Sequence, residues 1–350
     1  MTQRVASIID EPVRGSIPEV GFLSLPGIER MRAIMDERTP LAPVQHLTGV
    51  RLVQVGHGSC TAVMPASPWF QTQAGFFVSG VTALVADFAL GGAIMSALPP
   101  WTFPVTSEIN FTFLRPVQVD AGKLIARGKL IDAGRNQATS EALIEDGDGR
   151  LLAHATTRCF IRTAEPQEVS FEAKASQTYD SPDPFLRPIP DDLLSPESLR
   201  DLSGIQLLRS LSSGALPAPF MMLTGLFLNF DVLPGRVASP FPAAAWFQSP
   251  AGTIYGGFLC WVADLLSNAA ATSTLEPQTG TAALDLKVHF LRPVLPDSSL
   301  LYGEGEVVHG GKGLIVCRSE IRNAEQKPLV LAVGSFMRRQ IRDWVPVVTA

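Results

Sequence analysis

The sequence predicts an α+β fold made of two tandem copies of one unit, an antiparallel sheet curling round a central helix. Three observations carry this expectation. The chain repeats itself at an offset of 177 residues, each copy holds a helix-length run that is apolar nearly all round, and each run is followed by four segments of β character.

The repeat fixes the domain organisation. Shifting by 177 residues places Trp69-Phe70-Gln71 on Trp246-Phe247-Gln248, and Val85-Ala86-Asp87 on Val262-Ala263-Asp264. It also places Phe113-Leu114-Arg115-Pro116-Val117 on Phe290-Leu291-Arg292-Pro293-Val294. Residues 65–161 give roughly 28 identities in about 97 ungapped positions, against about 6 for unrelated sequences. Units this long are domains rather than solenoid repeats. The expected organisation is a first domain over 1–165, a Pro-rich linker over 166–196 and a second domain over 197–350.

Within each copy the elements follow in order. Gly27 to Glu37 and Pro196 to Leu211 show apolar residues at helical spacing. The alternation at Gly49–Val55 reads as a strand, and a Pro/Gly-rich approach leads into the apolar run, Gly80 to Leu98 or Gly257 to Leu275. A helix with no polar face is one wrapped by other structure. Strands are expected at 105–113, 122–133, 137–146 and 151–163, and near 281–291, 299–309, 313–323 and 328–339. Each unit is therefore expected to carry about five strands.

Composition excludes several classes. With 46% hydrophobic and 17% charged residues the chain is not largely disordered, and a net charge of −5 disfavours nucleic acid as a partner. The uncharged stretches 52–86 and 237–263 are broken by prolines and glycines, so no bilayer span is expected and no membrane partner. Asp10, Glu11 and Arg14 interrupt any signal peptide, and a cytoplasmic protein is expected. Cys60, Cys159, Cys260 and Cys317 are scattered without metal-ligand spacing, so neither a metal nor a cofactor is expected. The five histidines have no counterparts between the copies and read as incidental.

The chemistry centres on Asp87 and its twin Asp264, each inside an otherwise apolar helix where an unpaired carboxylate is costly to bury. Two readings stand. The Asp faces a solvated gap or pairs with an arginine such as Arg115, or it is a catalytic carboxylate whose pKa is raised by desolvation. A glycine cluster opens each helix, in Ser249-Pro-Ala-Gly-Thr-Ile-Tyr-Gly-Gly257 and Thr72-Gln-Ala-Gly-Phe-Phe-Val-Ser-Gly80. It is either a plain tight turn or a helix N-terminus whose free N–H groups receive a carbonyl oxygen gaining charge.

Pro250 to Gly257, seven residues before the Asp of Val-Ala-Asp264, together with the Phe-Leu-Arg-Pro strand end, resembles the hotdog-fold acyl-CoA thioesterases of the PaaI and 4-hydroxybenzoyl-CoA thioesterase type. The resemblance covers about 120 residues of each copy. It implies two hotdog domains forming internally the dimer that single-domain members form between subunits, and an acyl-CoA substrate. It also implies that Asp87 and Asp264 act as general base or nucleophile. The N–H groups of Gly256 and Ser79, each heading a pair completed by Gly257 and Gly80, are then the oxyanion donors. Gly256 and Asp264 stand eight residues apart on one helix, roughly 12 Å along its axis, so each site should take its donor from one copy and its carboxylate from the other.

One site then combines Gly256, Ser249 and Tyr255 with Asp87 and the strand hydroxyl of Thr106. The other combines Ser79, Thr72 and Val78 with Asp264, with Ala283 in place of Thr106. The first is expected to be the more competent. The family's usual His is Tyr255 or Val78 here, and its upstream Asn or Gln is Ser249 or Thr72, with Gln71 and Gln248 one position earlier. The turn residues Arg135 and Lys312 correspond between the copies and are candidates for the phosphates of coenzyme A; exposed turn residues are otherwise merely solvated. A non-catalytic acyl-CoA sensor and a hotdog hydratase or dehydratase are the alternatives, although no Asp-x4-His pair marks either helix. Pairing of exposed sheet faces leads to an expected assembly of two chains.

Overall fold

The strand expected at the start of each copy is one arm of a hairpin. In the computed structural model, which describes residues 7–72, 74–118, 120–190, 199, 201–226 and 230–340, β1 (Arg51–Gly56) pairs with β2 (Ser59–Pro65). Likewise β7 (Asp231–Leu233) pairs with β8 (Arg236–Pro242). Each half thus has six strands rather than about five. The prolines at 65 and 68 disguised β2 as an approach segment, yet Pro65 ends the strand without interrupting its ladder to β4 (Lys123–Ala133).

The remaining strands lie close to the expected positions. They are β3 (Thr102–Phe113), β5 (Gln137–Asp146) and β6 (Leu151–Thr163), then β9 (Thr279–Phe290), β10 (Leu300–Gly310), β11 (Leu314–Arg322) and β12 (Pro328–Gln340). The two halves share one antiparallel sheet in the order β1-β2-β4-β5-β6-β3-β9-β12-β11-β10-β8-β7. The β3–β9 pairing, from Glu108↔His289 to Thr112↔Asp285, is the seam.

The central helices are α3 (Ala83–Met95), preceded by a 3-10 turn at Ser79–Thr82, and α6 (Gly256–Thr272), which is α-helical from Gly256. They pack against each other and against the concave face of their own sheets. Close approach to the sheet depends on a glycine in each half. A Cβ at Gly128 would lie 2.2 Å from the Ala89 carbonyl oxygen, and one at Gly305 would lie 2.2 Å from that of Leu266.

The outer short helices are α1 (Gly27–Met35) and α2 (Pro43–Thr48) in the first half, α4 (Gly204–Ser212) and α5 (Pro219–Thr224) in the second. The helix expected from Pro196 begins at Gly204; residues 196–198 and 200 lie outside the described residues.

Each half is held by a strap from the segment that precedes the other. Trp246 Nε1 donates to the Glu11 carbonyl (3.2 Å), and Trp69 Nε1 donates to the Arg187 carbonyl (2.7 Å). The two straps meet where the Arg187 guanidinium grips the Glu11 carboxylate at 2.6 and 2.9 Å. That arginine holds the Glu11 carboxyl below the usual range. On the linker, Asp183 accepts from Arg14 and lies 2.9 Å from His46 Nδ1, so one of the histidines read as incidental helps anchor the strap.

Candidate active site

The loops that deliver the chain into the central helices are built alike. Gln71 bridges Phe77 and Gln248 bridges Ile254, and the turn is closed by Thr72 N–H on the Phe76 carbonyl (2.8 Å) and by Ser249 N–H on that of Thr253 (2.9 Å). Gly75 and Gly252 supply the left-handed residue, at φ 78° and 86°. These first glycines therefore make the tight turn, and the pairs at 79–80 and 256–257 open the helices.

Each helix N-terminus meets the middle of the other helix. Gly257 N–H donates to Asp87 Oδ2 at 2.8 Å, and Gly80 N–H donates to Asp264 Oδ2 at 2.8 Å. Carboxylate and donor thus come from opposite halves at both places. The second residue of each pair holds the carboxylate, while the N–H groups of Gly256 and Ser79 have no partner among the described residues. At Gly256 the backbone lies against the acid: a Cβ there would be 2.7 Å from Asp87 Oδ2. Gly256, at the positive end of a 17-residue helix, thereby lies directly against the carboxylate.

The two carboxylates differ in exposure. Asp87 is partly exposed, whereas Asp264 is 0% exposed and its Oδ1 is buried with no partner among the described residues. Burial pushes the Asp87 carboxyl up to about 6, against the lowering effect of the Gly257 N–H. Burial pushes Asp264 up to about 7, against that of Gly80. Among the described residues neither Asp pairs with an arginine. Arg115 donates to the Leu151 carbonyl (2.8 Å) and its counterpart Arg292 to that of Pro328 (2.5 Å), which makes both clamps of a strand corner.

The other expected residues fall into three groups. Tyr255 is 4% exposed; its hydroxyl donates to the Leu84 carbonyl (2.9 Å) and its ring packs on Phe88 (5.1 Å between centroids). The structure thus uses its hydroxyl to tie α6 to α3. Ser249 Oγ accepts from Ala251 N–H, Gln248 Nε2 donates to the Gly252 carbonyl, and Gln71 is buried in its bridge, so all three shape the loops. Thr106 stands before a bulge in β3 with its Oγ1 3.7 Å from Cys159 Sγ, a thiol pushed up to about 11 by burial and further by the Asp87 charge. Arg135 and Lys312 sit in the exposed turns between β4 and β5 and between β10 and β11.

A cavity of about 130 Å³ opens on the Asp264 side, between Thr72, Val78, α4, α5 and the α6 residues after Asp264. A larger one, about 380 Å³, lies between the N-terminal segment and the linker, with Phe22 and Phe171 on its walls, and contains none of the residues above. Among the described residues no group of three His, Cys, Asp or Glu side chains is placed to hold a metal ion, and no helix is long and apolar enough to cross a membrane.

The sequence profile of the thioesterase superfamily matches residues 74–153 and 251–330, once in each half and over both helix–sheet cores. A protein of Saccharolobus solfataricus named as an esterase is 27% identical over 113 residues, covering 31% of this chain and 79% of that protein. Among solved structures, a hot dog fold protein from Alicyclobacillus acidocaldarius aligns with a TM-score of 0.50 at 13% identity, over 87% of this chain and 98% of the other. A protein of Novosphingobium aromaticivorans assigned as a thioesterase aligns with a TM-score of 0.50 at 15% identity, over 82% and 97%. At these identities the structural likeness speaks for the fold, two hotdog units in one chain.

Proposed function

This chain is a tandem-hotdog member of the thioesterase superfamily, and from that premise we propose that it hydrolyses acyl-CoA thioesters between its two halves, chiefly at Asp87 and Gly256. The observation that carries the reading is the partly exposed Asp87 carboxylate against Gly256, whose N–H has no partner among the described residues, each supplied by a different half. Asp87, above its raised pKa, takes a proton from a water molecule as that water attacks the thioester carbon. The carbonyl oxygen gains charge against the Gly256 N–H, and collapse of the tetrahedral intermediate expels the coenzyme A thiolate. Direct attack by the carboxylate, giving an acyl anhydride that water then opens, uses the same two groups.

Gly257 N–H and Gly80 N–H fix the carboxylates rather than receive the oxyanion. Asp264 with Ser79 forms the weaker site, because no solvent reaches its carboxylate. The working unit on this reading is the pair of domains 1–165 and 197–350 joined by the linker 166–196.

Free-thiol release from a panel of acyl-CoAs tests the proposal. Release by the wild type that disappears in Asp87→Asn supports it. Binding of acyl-CoA without release would make the protein a sensor, and hydration of an enoyl-CoA would make it a hydratase.

A further inference from the structure

The 177-residue offset places Val78 opposite Tyr255 and Leu265 opposite Phe88, so each half offers the same space to a differently sized pair. On the Asp87 side the space is full. The Tyr255 ring lies on Phe88 at 5.1 Å, and its hydroxyl is satisfied by the Leu84 carbonyl, which removes any cost of keeping it buried. On the Asp264 side Val78 and Leu265 border an open cavity of about 130 Å³, lined elsewhere by Leu208, Leu211, Phe220 and Ala269.

Its polar side chains make few demands. Asn268 Nδ2 donates to Thr281 Oγ1 (2.9 Å), and Asn268 Oδ1 accepts from Thr272 Oγ1 (3.4 Å), so these amide and hydroxyl groups are already paired and ask nothing of a ligand. Its lining includes Val78, the chain neighbour of Ser79, whose N–H has no partner among the described residues, and Leu265, the chain neighbour of Asp264. A thioester at that helix N-terminus would direct its acyl group inward. A dry cavity of about 150 Å³ accepts a benzene molecule, so this one matches about six carbons.

We propose that the Asp264 side is an acyl-chain site, taking an apolar group of about six carbons, and that Tyr255 closes the equivalent pocket at Asp87, so that the two sites hold acyl groups of different size. This rests on the reading of the chain as an acyl-CoA hydrolase. It goes further by assigning the chain-length choice to the Val78/Tyr255 pair, and by separating the side that has room from the side whose carboxylate is open. Longer acyl-CoAs then bind at Asp264 and turn over slowly there, whereas short ones are hydrolysed at Asp87.

Binding of non-hydrolysable alkyl-CoA thioethers to the full chain, ethyl against octyl, tests the assignment. Each buried methylene strengthens binding roughly fourfold, so octyl should bind at least about 30-fold tighter than ethyl. Val78→Tyr, and separately Ala269→Leu, should cut that advantage to below about threefold, with thermal melts reporting that both variants are folded. In the opposite direction, Tyr255→Val should raise the turnover of octanoyl-CoA relative to acetyl-CoA. Equal binding of the two thioethers by the wild type, or an octyl advantage that survives in both folded cavity variants, overturns the proposal. A wild type that releases no thiol but loses octyl binding in Val78→Tyr would defeat the hydrolase reading and leave this one standing. Thiol release without chain-length selection would do the reverse.

Discussion

Asp87 and Asp264 occupy the same position in two copies of one unit, and each accepts one N–H from the opposing helix at 2.8 Å. Their surroundings have nevertheless diverged. Beside Asp87 the helix opens with two glycines, the carboxylate is partly exposed, and the Tyr255 ring packs on Phe88. Beside Asp264 the helix opens with a 3-10 turn at Ser79, the carboxylate is sealed, and the apolar space is open. The difference teaches that a duplicated interface can separate reach from room: one side keeps the more exposed carboxylate, the other keeps the pocket.

The comparison breaks most readily at Gly256. A methyl group there would stand 2.7 Å from Asp87 Oδ2 and push the acid aside. A displacement on the order of 1 Å costs about 100-fold in rate, so Gly256→Ala should lower kcat/KM about that much. Loss of less than about threefold would remove Gly256 from the site. The pH profile sharpens the same point. A base with a pKa of about 6 is ionised above that value, so kcat/KM should be flat above about pH 7 and fall about tenfold per unit well below pH 6.

A second effect concerns stability at Asp264. Its folded pKa of about 7 lies above the unfolded value near 3.9, so the folded state binds more protons between these limits. Stability therefore falls as pH rises through that window, by on the order of 4 kcal/mol once the buried group is ionised. Asp264→Asn keeps an acceptor for the Gly80 N–H and carries no charge. It should raise the melting temperature at pH 8, with the gain vanishing by about pH 4. A lower melting temperature at pH 8 would mean the charge is compensated.

The smallest expected effect is a symmetric one. Trp69→Phe and Trp246→Phe each lose one indole hydrogen bond to a strap, about 1 kcal/mol. Denaturant unfolding should find the two losses alike, in contrast to the unequal acids. A markedly larger loss for one would show that the straps have diverged too.

Much of this was legible in the sequence, because duplication writes the pattern twice. Two copies of Val-Ala-Asp in an apolar helix located both carboxylates, and helix geometry alone required the halves to share their sites. Other features depend on contacts that spacing does not encode. Trp69 and Trp246 were visible as a pair, but their carbonyl partners at Arg187 and Glu11 lie in straps with little sequence in common. The role of Gly257 and Gly80 in fixing the carboxylates shows only when the helices are docked. Tyr255 stands where relatives usually carry a polar side chain, and its spacing alone did not reveal that its hydroxyl is spent on the Leu84 carbonyl. The seal over Asp264 likewise comes from packing between distant segments.

The paired substitution of the two acids tests the central claim most directly. With a short acyl-CoA as substrate, Asp87→Asn should lower kcat/KM at least about 100-fold, and Asp264→Asn no more than a few-fold. Equal losses in the two variants, both folded, would contradict the division between an open and a sealed carboxylate.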